Sequence, residues 1–374
     1  MTSQLNQSRI DMLDAQEGYE VPLPEESYVL ALGGKLYGPD GNVVDSRISL
    51  KGCLLGYDFH EYPLVVHGDW PGFKINKPVP GGRIIAAERL GSKITGGSGY
   101  TLYLESDGIG EITLCGFAIA PSSTAAIVTL DQNGPFLLNL EDVVINGGYN
   151  HALNSGFSAK WGAILHKWSG YVARTKVMNI HKEHAFYPHK LTGDTLFYDC
   201  HMARTGRTSI QVVGRETESG YGDAELAIQG CLFQDSGLHG GGSTLTLGGT
   251  RRVELKDVTC TLGADAVFTT RYLQNHSTKM AMGQGSLVNW SDKGRQRNVE
   301  ELHLEDVYFA SAPNAGTAAC AQIKAVDHLH TSGKVEMYHG YSPNAVEYAG
   351  TPAKVTSDCL PGDIKFVGEV VGQS

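Results

Sequence analysis

Val253-Glu254-Leu255-Lys256-Asp257-Val258-Thr259-Cys260 alternates apolar and polar residues on both sides of an aspartate. A period of two sends successive side chains to opposite faces of an extended strand. The segment therefore reads as two short strands joined at a polar corner. The same arrangement returns in Leu302-His303-Leu304-Glu305-Asp306-Val307-Tyr308-Phe309 and in Leu138-Asn139-Leu140-Glu141-Asp142-Val143-Val144-Ile145. Aligned on the corner, it recurs at Gly116, Asp142, Lys176, Asp199, Gly230, Asp257 and Asp306. Two residues before most corners stand Leu114, Leu140, Phe197, Ile228, Leu255 and Leu304, with Arg174 the exception. One residue after them stand Phe117, Val143, Val177, Cys200, Cys231, Val258 and Val307.

The shorter intervals define a unit of roughly 23 to 27 residues, and the longer ones accommodate inserted loops or one masked unit. A further strand-like run follows most corners, at 126–130, 185–189, 209–213 and 266–270. Three strands per unit describe a coil. A coil cannot bury its own apolar face, so coils must stack. The fold expected is all-β, a single right-handed parallel β-helix of about nine or ten coils. Its organisation is expected to be an N-terminal arm at 1–24, a cap at 25–80, the β-helix at 81–345 and a C-terminal cap or tail at 346–374, because open strand edges need covering.

Composition agrees with many turns and short buried strands: 47 glycines, 41% hydrophobic and only 19% charged residues. The net charge of −10, with no long run of Lys and Arg, argues against nucleic acid or an anionic membrane as partner. No membrane insertion is expected, and the polar N-terminus lacks the pattern of a secretory signal, so the chain is expected to be made in a cytoplasm. Seven cysteines without a CxxC pair suggest neither a disulfide framework nor a metal site. Cys200 and Cys231 share a repeat position and read as small apolar residues stacked inside the coil.

The densest polar cluster lies between His166 and His239, with Trp161 nearby. Residues at one angular position on successive coils lie about 4.8 Å apart, which is how a stack builds a groove from distant segments. The substrate-binding candidates are His166, Lys167, His184, Lys190, Gln211 and Arg215, with Trp161 and Trp168 as platforms for sugar rings. Uronate β-elimination needs the carboxylate neutralised by a cation and the adjacent proton removed. For that reaction Tyr187, His189 and Arg207 are the catalytic candidates, with Ca²⁺ as a possible cofactor. Glycoside hydrolysis needs two carboxylates on a groove floor; Glu216, Glu218 and Asp223 occur together, but in a segment with the composition of an inserted loop. The recurrent corner aspartates read as turn residues.

His184-Ala185-Phe186-Tyr187-Pro188-His189, followed by Thr195-Leu196-Phe197-Tyr198-Asp199, resembles the catalytic region of the alginate (mannuronan) epimerases, which are parallel β-helices with the motif Tyr-Gly-Phe-Asp-Pro-His. Phe186, Pro188 and His189 match. Tyr187 stands where that family has its aspartate, His184 where it has its tyrosine, and Thr208 where the next coil has a second aspartate. Both carboxylates are lost, so the resemblance does not carry epimerase chemistry.

In overall architecture the chain resembles phage tailspike and virion-decoration proteins within the pectate-lyase-like β-helix superfamily. That resemblance implies a virion-associated structural protein, a spike, fibre or decoration type. Its expected partners are other virion proteins or a host surface polysaccharide. A homo-trimer is expected, burying one sheet face per subunit, with Val213, Phe268 and Tyr308 as candidate members of that face. The alternative is a polysaccharide lyase, hydrolase or epimerase acting on an acidic polysaccharide, outside the cell.

Overall fold

The computed structural model describes residues 2–261 apart from residue 17 and the segments 97–98, 106–109, 121–122, 131–135, 151–158, 213–221 and 237–243; it also describes residues 299–311 and 326–339 and the short strands 286–287, 321–323, 351–352, 355–357, 366–367 and 370–372. The chain is a parallel β-helix. One coil shows the plan. Leu191–Tyr198 lies on the first face, Asp199 makes the corner, His201–Thr205 lies on the second face, and Ile210–Gln211 on the third. The first two faces run into one long sheet, while the third forms a separate seven-stranded sheet.

Strict parallel register aligns Leu64, Ile84, Leu114, Leu140, Val172, Phe197, Ile228, Leu255 and Leu304 in one column on the first face. Every member is buried. Such a column is the core of a solenoid, because each coil receives half its apolar contacts from the coil above and half from the one below. Aromatic core residues pack edge to face around it, with Phe197 5.7 Å from Trp168 and 5.3 Å from Phe186, ring centre to ring centre.

The corner residues all adopt positive φ: Gly116 at 76°, Asp142 at 52°, Asp199 at 48°, Gly230 at 64°, Asp257 at 51° and Asp306 at 50°. Only Gly and short polar residues enter this left-handed region readily, which explains the Asp/Gly alternation. The sequence alignment fails at one corner. Register pairs Glu141 with Ala173 and Ala173 with Tyr198, so the corner is Arg174, at φ 46°, and not Lys176. Arg174 is held there by its guanidinium, which donates to Asp142 Oδ2 at 3.0 Å and Gln16 Oε1 at 2.7 Å. Thr175 then takes the inward place assigned to Val177, and its hydroxyl donates to Ala173 O.

Parallel pairing begins earlier than residue 81. Phe59–Val66, Trp70–Pro71 and Phe73–Ile75 already form a three-sided coil beneath the next one. The cap proper is an antiparallel meander, Tyr28–Ala31, Lys35–Tyr37 and Val43–Asp45, followed by the helix Leu50–Gly56. Ser49 caps that helix by accepting from Gly52 N at 3.1 Å, and Leu50, Cys53 and Leu54 seal the coil end. At the other end, Val335 pairs with Phe366 and Thr356 with Val371, both in parallel strands, so the tail extends the stack.

The arm lies on the chain's own coils. Its helix, Gln4–Asp14, buries Ile10 and Leu13 against Tyr171, Ala173, Leu196 and Ala227 on the outside of the first face. Asn6 Nδ2 donates to Thr195 O at 3.1 Å and Arg9 to Asp194 O at 2.6 Å. Of the residues suggested for a subunit interface, Val213 and Phe268 lie outside the described residues, and Tyr308 is partly buried on the second face.

Candidate functional site

The third face is built from Phe73–Ile75, Tyr100–Glu105, Ala125–Leu130, Trp161–Leu165, Phe186–Pro188, Ile210–Gln211 and Leu245–Thr246. Alternation within Phe186–Pro188 sends Phe186 and Pro188 inward, where both are buried, and leaves Tyr187 partly exposed. Register sets Tyr187 against Ile164 and Pro188 against Leu165, which brings His189 beside His166. Their imidazoles stack at 4.1 Å with 17° between planes. Tyr187 meets His189 edge-on at 4.3 Å and approaches Trp161 at 5.0 Å. Trp161, Tyr187, His189 and His166 thus form one strip of rings across two coils, each partly exposed.

His184 supports this strip from behind. It is 4% exposed, 5.2 Å from Trp161 and 5.1 Å from Tyr187, so it does not offer a surface to substrate as the sequence suggested. Its Nδ1 accepts from Thr208 N at 3.2 Å. Burial, with Arg207 adding to it, pushes the imidazole down to about 3, which keeps it neutral. The position that holds a tyrosine in the epimerase motif is therefore structural here.

Arg207 is exposed and sits 3.2 Å from Glu183 Oε2. Burial pushes the Glu183 carboxyl up, opposed by Arg207, Lys160 and Lys182. The guanidinium proposed to neutralise a uronate is thus already engaged with a carboxylate. Phe186 stands opposite Ile210, so Gln211 follows beside Tyr187; it is partly exposed, as are Lys167 and Lys190. Arg215, Glu216 and Glu218 lie outside the described residues, and Asp223 is exposed.

Trp168 requires a correction. It is fully buried, and its indole N–H donates to Leu138 O at 2.9 Å. Trp168 shares the inward face of the strand Trp168–Ala173 with Gly170 and Val172, and Val172 belongs to the buried column, so the ring points into the coil. Trp168 is core, whereas Trp161 is surface.

Two features escaped the sequence reading. The same outward column continues through Lys74, Tyr103 and Val128 to Ile164 and Tyr187. There Lys74 Nζ lies 4.4 Å above the Tyr103 ring and 2.6 Å from Glu105, and Tyr100 lies 5.0 Å from Tyr103. The two tyrosines in Tyr100-Thr101-Leu102-Tyr103 carried a signal, but register was needed to join Tyr103 to Tyr187. The second feature is a pocket between the arm and the first face, lined in part by Tyr19, Arg83, Glu141, Asp142 and Arg174. Arg83 donates twice to the fully buried Glu141, at 2.8 and 2.6 Å, and Arg89 and Arg174 pair with Asp142. These charges are paired with one another, so the pocket reads as a structural ion network.

No known family profile matches the sequence, and no curated protein matches it. Among solved structures, the crystal structure of pectate lyase Pel9A is similar, with 8% identity and a TM-score of 0.48 over 89% of this chain and 74% of that one.

Proposed function

We propose that this chain binds an extended polysaccharide across the coils of its third face, as a surface component of a virion that engages a host glycan. The observation that carries the glycan reading is the strip Trp161, Tyr187, His189 and His166, continuous over two coils and partly open to solvent. Aromatic rings offer large, rigid, amphipathic contact surfaces that cost little conformational entropy on binding. The coil repeat places them at steps of about 4.8 Å, a ladder suited to a linear polymer. The virion setting and a trimeric assembly rest on the resemblance in architecture alone, since the arm packs on its own coils.

A lyase is the second reading, favoured by the contact between Tyr187 and His189, two groups able to accept a proton. One experiment separates the two. The purified protein is titrated with acidic and neutral polysaccharides, with and without Ca²⁺, while binding and the ultraviolet absorbance of unsaturated ends are followed. Binding without new ends, weakened at least tenfold by Trp161→Ala or Tyr187→Ala, is expected. Unsaturated ends abolished by His189→Ala would establish the lyase. Binding indifferent to both aromatic substitutions would overturn the third-face assignment, and sedimentation as a monomer would remove the trimer.

A further inference from the structure

Near the C-terminal end of the stack, the first face carries a different group of residues. The strands Val299–Ser311 and Val326–His339 run parallel, with Glu301 opposite His328 and His303 opposite His330. Residues two apart on a strand share a face, so Glu301 and His303 project together above His328 and His330. Glu301 Oε2 lies 2.9 Å from His303 Nε2, and the rings of His303 and His330 stack at 4.3 Å with 16° between planes. One ligand atom from each of Glu301, His303 and His330 lies within 4.8 Å of the other two.

We propose that Glu301, His303 and His330 bind one divalent transition-metal ion of the zinc class, joining two successive coils. Two imidazoles and a carboxylate are a zinc donor set, with bonds of about 2.0 to 2.2 Å that place tetrahedral ligand atoms about 3.3 Å apart. The atoms here need to close by at most about 1.5 Å, which rotation of the exposed His330 supplies. His328, opposite Glu301, is the next candidate ligand.

The preceding strand adds a competitor. Arg252 Nη1 stands 3.5 Å from Glu301 Oε2, but its other amino group is 3.5 Å from Glu254, which also accepts from Thr2 Oγ1 at 2.7 Å. Glu254 thus gives the guanidinium an alternative partner when Glu301 turns to a metal. A sequence scan for metal ligands overlooks this group because its members come from two coils. The proposal is independent of glycan binding.

The test uses the full-length protein stripped with a chelator. Zn²⁺ is titrated calorimetrically, and Co²⁺ is used as a visible-absorption probe of coordination. One ion per chain is expected, with ligand-field bands of a four-coordinate nitrogen and oxygen site. Affinity should fall at least tenfold in His303→Ala and in His330→Ala, and stay unchanged in His60→Ala, a histidine of the N-terminal coil paired with Asp58. His330 is exposed, so its variant keeps the fold, which circular dichroism checks. Saturating Zn²⁺ should also raise the midpoint of thermal unfolding in the wild type and not in His330→Ala. No saturable binding, affinity unaltered by His330→Ala, or equal affinity for Mg²⁺ would each overturn the proposal.

Discussion

Glu141→Gln tests how the first face tolerates a fully buried charge. The Glu141 side chain has no exposure, and it receives two hydrogen bonds from Arg83 and one from the Tyr171 hydroxyl, with Arg174 4.0 Å away. Glutamine is isosteric, but its amide nitrogen must face one Arg83 N–H donor against donor. At least one charge-assisted bond is lost, worth about 1.5 to 3 kcal/mol, and two guanidinium groups lose their shared counter-charge. Removing one partner of a buried pair costs about 3 to 5 kcal/mol. Arg83 keeps about a third of its side chain in water, so the low end applies. A destabilisation of about 3 kcal/mol is expected at neutral pH, a more than hundredfold change in the folding equilibrium. Urea unfolding followed by tryptophan fluorescence reads it directly.

The same variant carries a pH signature. Burial pushes the Glu141 carboxyl up, but the hydrogen bonds and charge of Arg83, with Tyr171 and Arg174, more than reverse this and leave it below its ordinary value. A depressed folded-state pKa contributes stability that is complete above the unfolded value of about 4.3 and is lost as pH falls through the folded value. The gap between wild type and Glu141→Gln should therefore narrow in acid. Superimposable urea curves at pH 7, or a gap that widens in acid, would refute the reasoning.

Trp168→Ala should destabilise by about 3 to 5 kcal/mol, whereas Trp161→Ala, on the partly exposed strip, should leave the urea midpoint nearly unchanged; equal midpoints would show that the inward and outward assignments are wrong. At the corner residue Asp199, with φ 48°, substitution by glycine should be close to neutral and by valine should cost about 1 to 2 kcal/mol, compared by thermal unfolding; equal effects would remove backbone conformation as the reason for the corner pattern. Cys53, Cys115, Cys200, Cys231 and Cys260 are buried thiols outside any disulfide, and burial pushes Cys53 and Cys115 up to about 12. None should react with iodoacetamide until denaturant is added, and native-state labelling of any of these five, read by peptide mass spectrometry, contradicts the packing.

The repeat was legible because its cause is local. A strand alternates its faces, a left-handed corner demands Gly or Asp, and both leave marks within eight residues, as in Val253–Cys260. The stacked Cys200 and Cys231 followed from the same marks, and the structure places the Cys231 thiol 3.4 Å from Cys200 N. Candidate site residues were legible only as a neighbourhood. His166, Tyr187 and His189 meet because the parallel register of Trp161–Leu165 with Phe186–Pro188 aligns them on successive coils.

Tertiary structure decided the rest, since period two tells which residues share a face but not which face is inside. Trp168 went to the core, where its indole N–H donates to Leu138 O on the coil before, whereas Trp161 stayed partly exposed. Arg174 occupies a corner that no local rule gives to arginine, because Asp142 from the coil before and Gln16 from the arm hold its guanidinium. His184 became a neutral buried support through Thr208 on the next coil. The group of Glu301, His303 and His330 exists only when coils stack. In each case the deciding partner lies a full coil or more away in sequence, and register between coils, set by packing of the whole column, brings it within reach.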